Sequence, residues 1–267
     1  MLALPPLAAE TIFQIGDFPV TNSYINSTLA VALFASVGLL MRKRAAEIPD
    51  KIQNFAESIL EVVLGYMDQV TRDHKKSLKF LPVVGSLFLF ILLSNWIGIF
   101  PGIGSIGRWL TMHGQLELVP LFRPANTDLN MTLAMAVMAI TLTHIFGIAA
   151  VGVFRYANKF VKLGDIWRSL RKGGISIFVA LIEFGVGIIE IFSEIAKMVS
   201  LSLRLFGNIF AGEVLLTVLG TLLAVPIGIT LPFMALEILV GLIQAIVFSM
   251  LVLVSFSMAT AELHEAH

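Results

Sequence analysis

Four ionisable residues stand seven apart in an otherwise apolar stretch: Glu183, Glu190, Lys197 and Arg204. On an α-helix that interval draws a slowly drifting stripe along one face. Glu194, four residues after Glu190, joins the stripe, and Asn208 lies one turn beyond Arg204 on the same side. Glu213 is nine residues past Arg204, which at ~100° per residue turns it to the opposite face. A later apolar stretch adds Glu237 and Gln244, again seven apart. Each charge costs ~2.5–3.5 kcal/mol at the centre of a bilayer, and such charges usually face an aqueous cavity or a partner. The chemistry open to this set is ion handling: carboxylates that take up and release protons, and a guanidinium that does not. No Lys or Arg follows Arg204, and the residue one turn beyond it on its face is the neutral Asn208. Its counter-charge must come from another helix or another chain. Glu190, Glu194 and Lys197 have a second reading, as ion pairs that neutralise one another within one helix.

The elements that must position these residues are read from composition and periodicity. The chain has 267 residues, 57% of them hydrophobic and 13% charged, with a mean hydropathy of +0.91. Soluble domains carry about 25% charged residues, so the class is a polytopic helical membrane protein. Zero net charge gives no reason to expect nucleic acid as a partner, and the absence of Cys excludes disulfides and thiolate-bound metals. No metal constellation or cofactor motif stands out. The N-terminal stretch lacks a basic region, and Pro5-Pro6 interrupts its apolar run, so it is expected to belong to the mature chain.

Residues 24–41 form a first span, closed by Arg42-Lys43-Arg44. Residues 49–70 place Ile52, Phe55, Ile59, Val62, Val63 and Tyr66 at helical spacing between acids, an amphipathic helix lying on the membrane surface. Residues 78–99 are a second span with Trp96 as an interfacial aromatic. Residues 101–128 read as an exposed loop, and 129–154 as the next span. Residues 175–225 contain no Pro; as one helix they reach ~75 Å, against a hydrocarbon core of ~30 Å. Either a turn is hidden there or the helix is strongly tilted. Pro226 breaks the pattern before a last apolar helix over 227–260. Fourteen of the eighteen Lys and Arg fall in 42–79 and 155–172, which alternation puts on one side. That side is cytoplasmic, with the N-terminus outside and the C-terminus inside.

The segment SLSLRLFGNIFAGE, from Ser200 to Glu213, is very close to the signature of the a subunit of the F-type ATP synthase membrane sector. The resemblance extends along almost the whole chain. IFQIGDFPVTNS resembles the N-terminal segment of bacterial members, QNFAESILEVVLGYM the amphipathic second helix, PANTDLNMTLAMA the start of the fourth helix and GLIQAIVFSML the last helix. It implies an all-α membrane protein: about five membrane-embedded helices, a surface helix and a long tilted C-terminal hairpin. It implies a stator that forms two offset half-channels against a rotating ring of c subunits, held by subunit b of the peripheral stalk and other synthase subunits, in contact with membrane lipid. ATP chemistry would belong to those other subunits, and no cofactor is implied.

By the same resemblance Arg204 matches the essential arginine. Asn208, Glu213, Glu237 and Gln244 match positions around it and on the outer half-channel, and Glu190 matches an acid of the inner one. Glu194 joins Glu190 by position, and Glu183 is carried only by its place on the stripe. Part of the family has His where Glu237 stands; carboxylates at both 213 and 237 could share a proton. Asp128 and Asn130 open the fourth helix and could feed the outer channel, or Thr127-Asp128 could be a plain N-cap. His144, mid-span, reads as a packing histidine, and the tail ELHEAH as a frayed terminus rather than a metal site. A bacterial inner membrane is expected, with the mitochondrial inner membrane as the alternative. The competing function class is a secondary ion-coupled transporter, for which inverted repeats are expected and none is visible.

Overall fold

The computed structural model describes residues 6–44, 50–100, 106–112, 115–161, 175–222 and 230–261. Pro49, His113, Pro226, the basic stretch beyond Val161 and the ELHEAH tail lie outside them. Among the described residues seven α-helices follow in chain order: α1 (Asn22–Arg44), α2 (Lys51–Thr71), α3 (His74–Ile99), α4 (Leu129–Val151), α5 (Val153–Val161), α6 (Ile175–Leu222) and α7 (Thr230–Ala261). Four of them, α1, α3, α4 and α7, are long and apolar enough to cross a bilayer. The chain is an all-α membrane protein with those four spans, and α6 packs against α4 and α7.

Two short antiparallel hairpins accompany the helices, β1–β2 (Thr11–Ile15, Phe18–Thr21) and β3–β4 (Gly107–Met112, Gln115–Pro120). Gly16 turns the first with a φ of 62°, a conformation that costs glycine little. Arg108 of β3 donates to the Ile12 carbonyl at 3.0 Å and ties the two hairpins together. The expectation of an exposed loop over 101–128 needs correcting here. Part of it is β3–β4, and Arg123 to Thr127 are buried. A run of polar and Pro residues looks like loop in one dimension, whereas this one folds inward because its side chains find partners there.

α2 begins at Asp50, whose side chain accepts from Gln53 N at 2.8 Å, and ends at Arg72 in the left-handed region. Val63 and Met67 face the core, while Ile52, Phe55, Val62 and Tyr66 remain exposed. The apolar stripe is thus divided between residues packed on the core and residues left exposed. Asp73 caps α3 by accepting from Lys75 N and Lys76 N. Beside that turn the Ser77 hydroxyl and the His74 ring hold the Asp68 carboxyl below the ordinary carboxylate range.

The core lies where α3, α4, α6 and α7 meet. Phe80, Phe146 and Phe256 form a triangle with ring centroids 4.9–5.4 Å apart. Leu205 and Ile209 of α6 reach it from one side and Met67 of α2 from the other. With lipid as solvent, close packing rather than water exclusion holds such helices together. α6 runs without a break through all 48 residues, so the turn that the sequence left open does not exist between Ile175 and Leu222.

Gly152, with a φ of 88°, separates α4 from α5. α5 folds back so that Tyr156 hydrogen-bonds His144 Nδ1 at 2.8 Å, with Phe160 against both rings. A Cβ at Gly147 would overlap the Tyr156 ring, so this docking requires glycine. His144 is therefore a packed, partnered histidine. We expect Tyr156→Phe to cost about 0.6 kcal/mol, the mean for side-chain hydrogen bonds between membrane helices. Denaturation of the purified protein would measure that loss.

Candidate proton path

Helices α6 and α7 run antiparallel, and their polar residues meet in register. Asn208 Nδ2 donates to Gln244 Oε1 at 2.7 Å. One turn further along α6, Gly212 faces Glu237, and a Cβ at that position would overlap the Glu237 carboxylate. Gly212 thus opens a seat in the α6 surface into which the carboxylate fits, leaving Glu237 4% exposed. The next residue on α6 is Glu213. The seven-residue interval on α7 and the four- to five-residue steps on α6 bring Asn208, Gln244, Glu237 and Glu213 into one strip.

Glu213 has a partner that the sequence reading did not supply. Arg123, 2% exposed, donates from Nε to Glu213 Oε1 at 2.8 Å and to Oε2 at 3.0 Å, and from Nη2 to Oε2 at 2.9 Å. Its remaining donors reach backbone: Nη2 to the Pro6 carbonyl at 2.8 Å and Nη1 to the Ala8 carbonyl at 3.3 Å. One guanidinium thereby joins α6, the segment before α4 and the segment before β1.

Further buried polar groups surround this junction. Asn26 of α1 donates to the carbonyls of Arg123 and Ser94, at 2.6 and 3.1 Å. Asn126 donates to Asn95 Oδ1 at 2.6 Å, and Trp96 Nε1 to the Ile238 carbonyl at 3.1 Å. Seven buried side-chain atoms among the described residues lack a hydrogen-bond partner. Six of them belong here: Ser23 Oγ, Asn26 Oδ1, Ser94 Oγ, Asn126 Oδ1, Glu237 Oε1 and Gln244 Nε2. Buried polar atoms of this kind are satisfied by ordered water when protein supplies no partner. These atoms gather at the end of the bundle where α3 closes and α1 and α4 begin.

A cleft that mixes hydroxyl and apolar side chains lies on the other side of Arg204. It has a volume of about 400 Å³ and opens between α4, α6 and α7, with Arg204, Ser200, Lys197 and Ser193 on one wall and Thr143 and Ser255 on the others. Arg204 is exposed, and no hydrogen bond or ion pair joins it to any described residue.

The other sequence candidates are placed apart from the strip. Glu194 pairs with Lys197 at 2.8 Å, which is the intrahelical reading for that pair. Glu183 and Glu190 are half-buried on the N-terminal part of α6. Asp128 is the N-cap of α4, accepting from Asn130 N at 3.0 Å, and Asn130 is exposed. Sequence reasoning missed Arg123, Asn26, Ser94, Asn95 and Asn126, and the hydroxyls of the cleft. One signal pointed to Arg123: a permanent cation just before an apolar helix, in a chain whose Glu213 had no partner on its own helix.

The family described as ATP synthase A chain matches residues 24–257. ATP synthase subunit a 2 of Syntrophotalea carbinolica is 32% identical over 258 residues, covering 96% of this chain and 92% of the relative. ATP synthase subunit a of Moorella thermoacetica is 31% identical over 240 residues, 90% of this chain and 91% of that one. ATP synthase subunit a of Mycobacterium ulcerans is 30% identical over 253 residues, 92% and 89%.

Proposed function

This chain belongs to the ATP synthase A chain family, and on that premise we propose that it is the proton-translocating stator of an F-type ATP synthase. One observation carries the mechanism: Arg204, unpaired among the described residues, stands between the polar strip and the cleft of the same helix pair. The strip through Asn208, Gln244, Glu237 and Glu213 is the outer access. The cleft lined by Ser200, Ser193, Ser255 and Thr143 is the inner one, with Glu190, Glu194 and Glu183 towards its cytoplasmic mouth and Asp128 and Asn130 at the outer mouth.

The chemistry follows from a fixed charge facing a moving one. A guanidinium favours the ionised form of a nearby carboxylate, so a protonated acid on the ring loses its proton on arriving at Arg204. The same cation repels a proton crossing directly from one access to the other. Protons must ride the ring, and the membrane potential supplies ~2.3 kcal/mol per charge per 100 mV. At 48 residues α6 is ~72 Å long, so within a hydrocarbon core of ~30 Å it lies strongly oblique. That is the geometry of a helix following a curved ring. Phe178, Ile182, Ile189 and Phe192 expose apolar surface along it.

The partners are therefore the c-ring, subunit b, the other synthase subunits and lipid, in a bacterial inner membrane with the N-terminus outside. The secondary-transporter reading has no comparable support. The chain has no Cys, so single cysteines can be probed from each side with a membrane-impermeant thiol reagent in sealed vesicles of the whole complex. Glu237→Cys should be labelled only from outside and Ser255→Cys only from the cytoplasmic side. Labelling of both from one side would contradict two separate accesses.

A further inference from the structure

The outer strip holds two carboxylates side by side, and their surroundings are not alike. Glu213 has both oxygens covered by the Arg123 fork, through three contacts of 2.8–3.0 Å. Glu237 sits against Gly212, with Oε1 buried and without a protein partner. A carboxylate relays a proton through a free oxygen. At Glu213 both oxygens already accept from a guanidinium that does not deprotonate and that holds the carboxylate in planar, two-oxygen geometry.

Arg123 is not free to swing away. It is 2% exposed, its other donors are engaged by the Pro6 and Ala8 carbonyls, and its own carbonyl accepts from Asn26. Two other segments, α6 and the stretch before β1, thus hold the side chain, and α1 holds its backbone. The result is a permanent ion pair one residue from the seat of Glu237.

We propose that Arg123 is a positioning residue of the outer path: it holds Glu213 as a fixed, non-exchanging carboxylate and reserves proton exchange for Glu237. This rests on the reading of the strip as a proton path. It adds a division of labour between two acids that the sequence treats as equivalent, and it assigns Arg123 a role in conduction beyond tying segments together.

The test uses the whole synthase in membrane vesicles, with passive proton conduction measured after removal of the catalytic sector. Glu237→Gln should lower conduction by about 100-fold, as expected when a positioned proton-transfer group is lost. Arg123→Gln alone should also lower it, because Glu213 is then released. The double variant Arg123→Gln with Glu213→Gln, which removes both charges together and leaves no carboxylate without its cation, should recover most of the wild-type conduction. If the double variant conducts as poorly as Glu237→Gln, Glu213 takes part in the relay and the proposal is overturned. If Glu237→Gln conducts normally, the failure is of the path itself.

A second measurement does not depend on assembly of a variant. A carbodiimide adds to protonated carboxyl groups in apolar surroundings, and peptide mapping by mass spectrometry locates the adduct in the wild-type complex. An adduct on Glu237 with Glu213 unmodified is expected; equal modification of Glu213 would overturn the proposal.

Discussion

Arg204→Ala should abolish ATP-driven proton pumping while the synthase still assembles. The side chain is exposed and bonded to no described residue, so its removal breaks no ion pair and opens no cavity among them. What is lost is the field it presents to the ring. A unit charge 4 Å from a carboxylate is worth about 4 kcal/mol at an effective dielectric of 20, and losing it from a rate-limiting deprotonation slows the step about 1000-fold. Arg204→Lys should fail too, because an ammonium lacks the planar fork and gives up its proton when desolvated. Fluorescent-dye quenching in proteoliposomes reads pumping, and subunit composition reads assembly. Near-normal pumping by an assembled Arg204→Ala complex would remove Arg204 from the mechanism.

Gly212→Val should have the second largest effect. A side chain there occupies the seat of the Glu237 carboxylate. The carboxylate is the far end of a flexible chain, so the helices can stay packed if it moves, but Glu237 is 4% exposed with few places to go. Displacing it costs little stability and removes the proton carrier from the strip. Passive conduction should fall about 100-fold, as for loss of the carboxyl itself, with Gly212→Ala intermediate. A Gly212→Val complex that conducts normally would show that Glu237 works equally well elsewhere, and that the seat has no function.

Both effects were partly legible in the sequence. The stripe through Arg204, the placing of Asn208 on its face and the pairing of 237 with 244 follow from helical periodicity, which is local. The surface helix and the spans are local as well, since apolar length and amphipathic spacing are enough to define them. What was not legible depends on contacts between distant segments. The Arg123–Glu213 pair joins residues 90 positions apart, and no periodicity relates a loop cation to a helix acid. Arg123 therefore read as one of two cations in an exposed loop. The seat at Gly212 was equally hidden, because a missing side chain gives no signal until the opposing helix is in place. The serines and threonine of the inner cleft were invisible for another reason: a hydroxyl in an apolar helix satisfies its own i−4 carbonyl as readily as it lines water. The continuity of α6, by contrast, was half legible. The absence of Pro argued for one helix, and its length argued against it until an oblique course was allowed.

The most direct test is the proton leak through the complex with the ring taken out of play. In vesicles whose ring carboxylates have been blocked by substitution with amides, complexes that keep Arg204 should be tight, because Arg204 separates the two accesses and protons have no carrier. Under the same block, Arg204→Ala complexes should leak protons at a rate that scales with the number of complexes, as outer strip and inner cleft join into one path. An Arg204→Ala complex as tight as one that keeps Arg204 would contradict the claim that this one cation is the barrier between them.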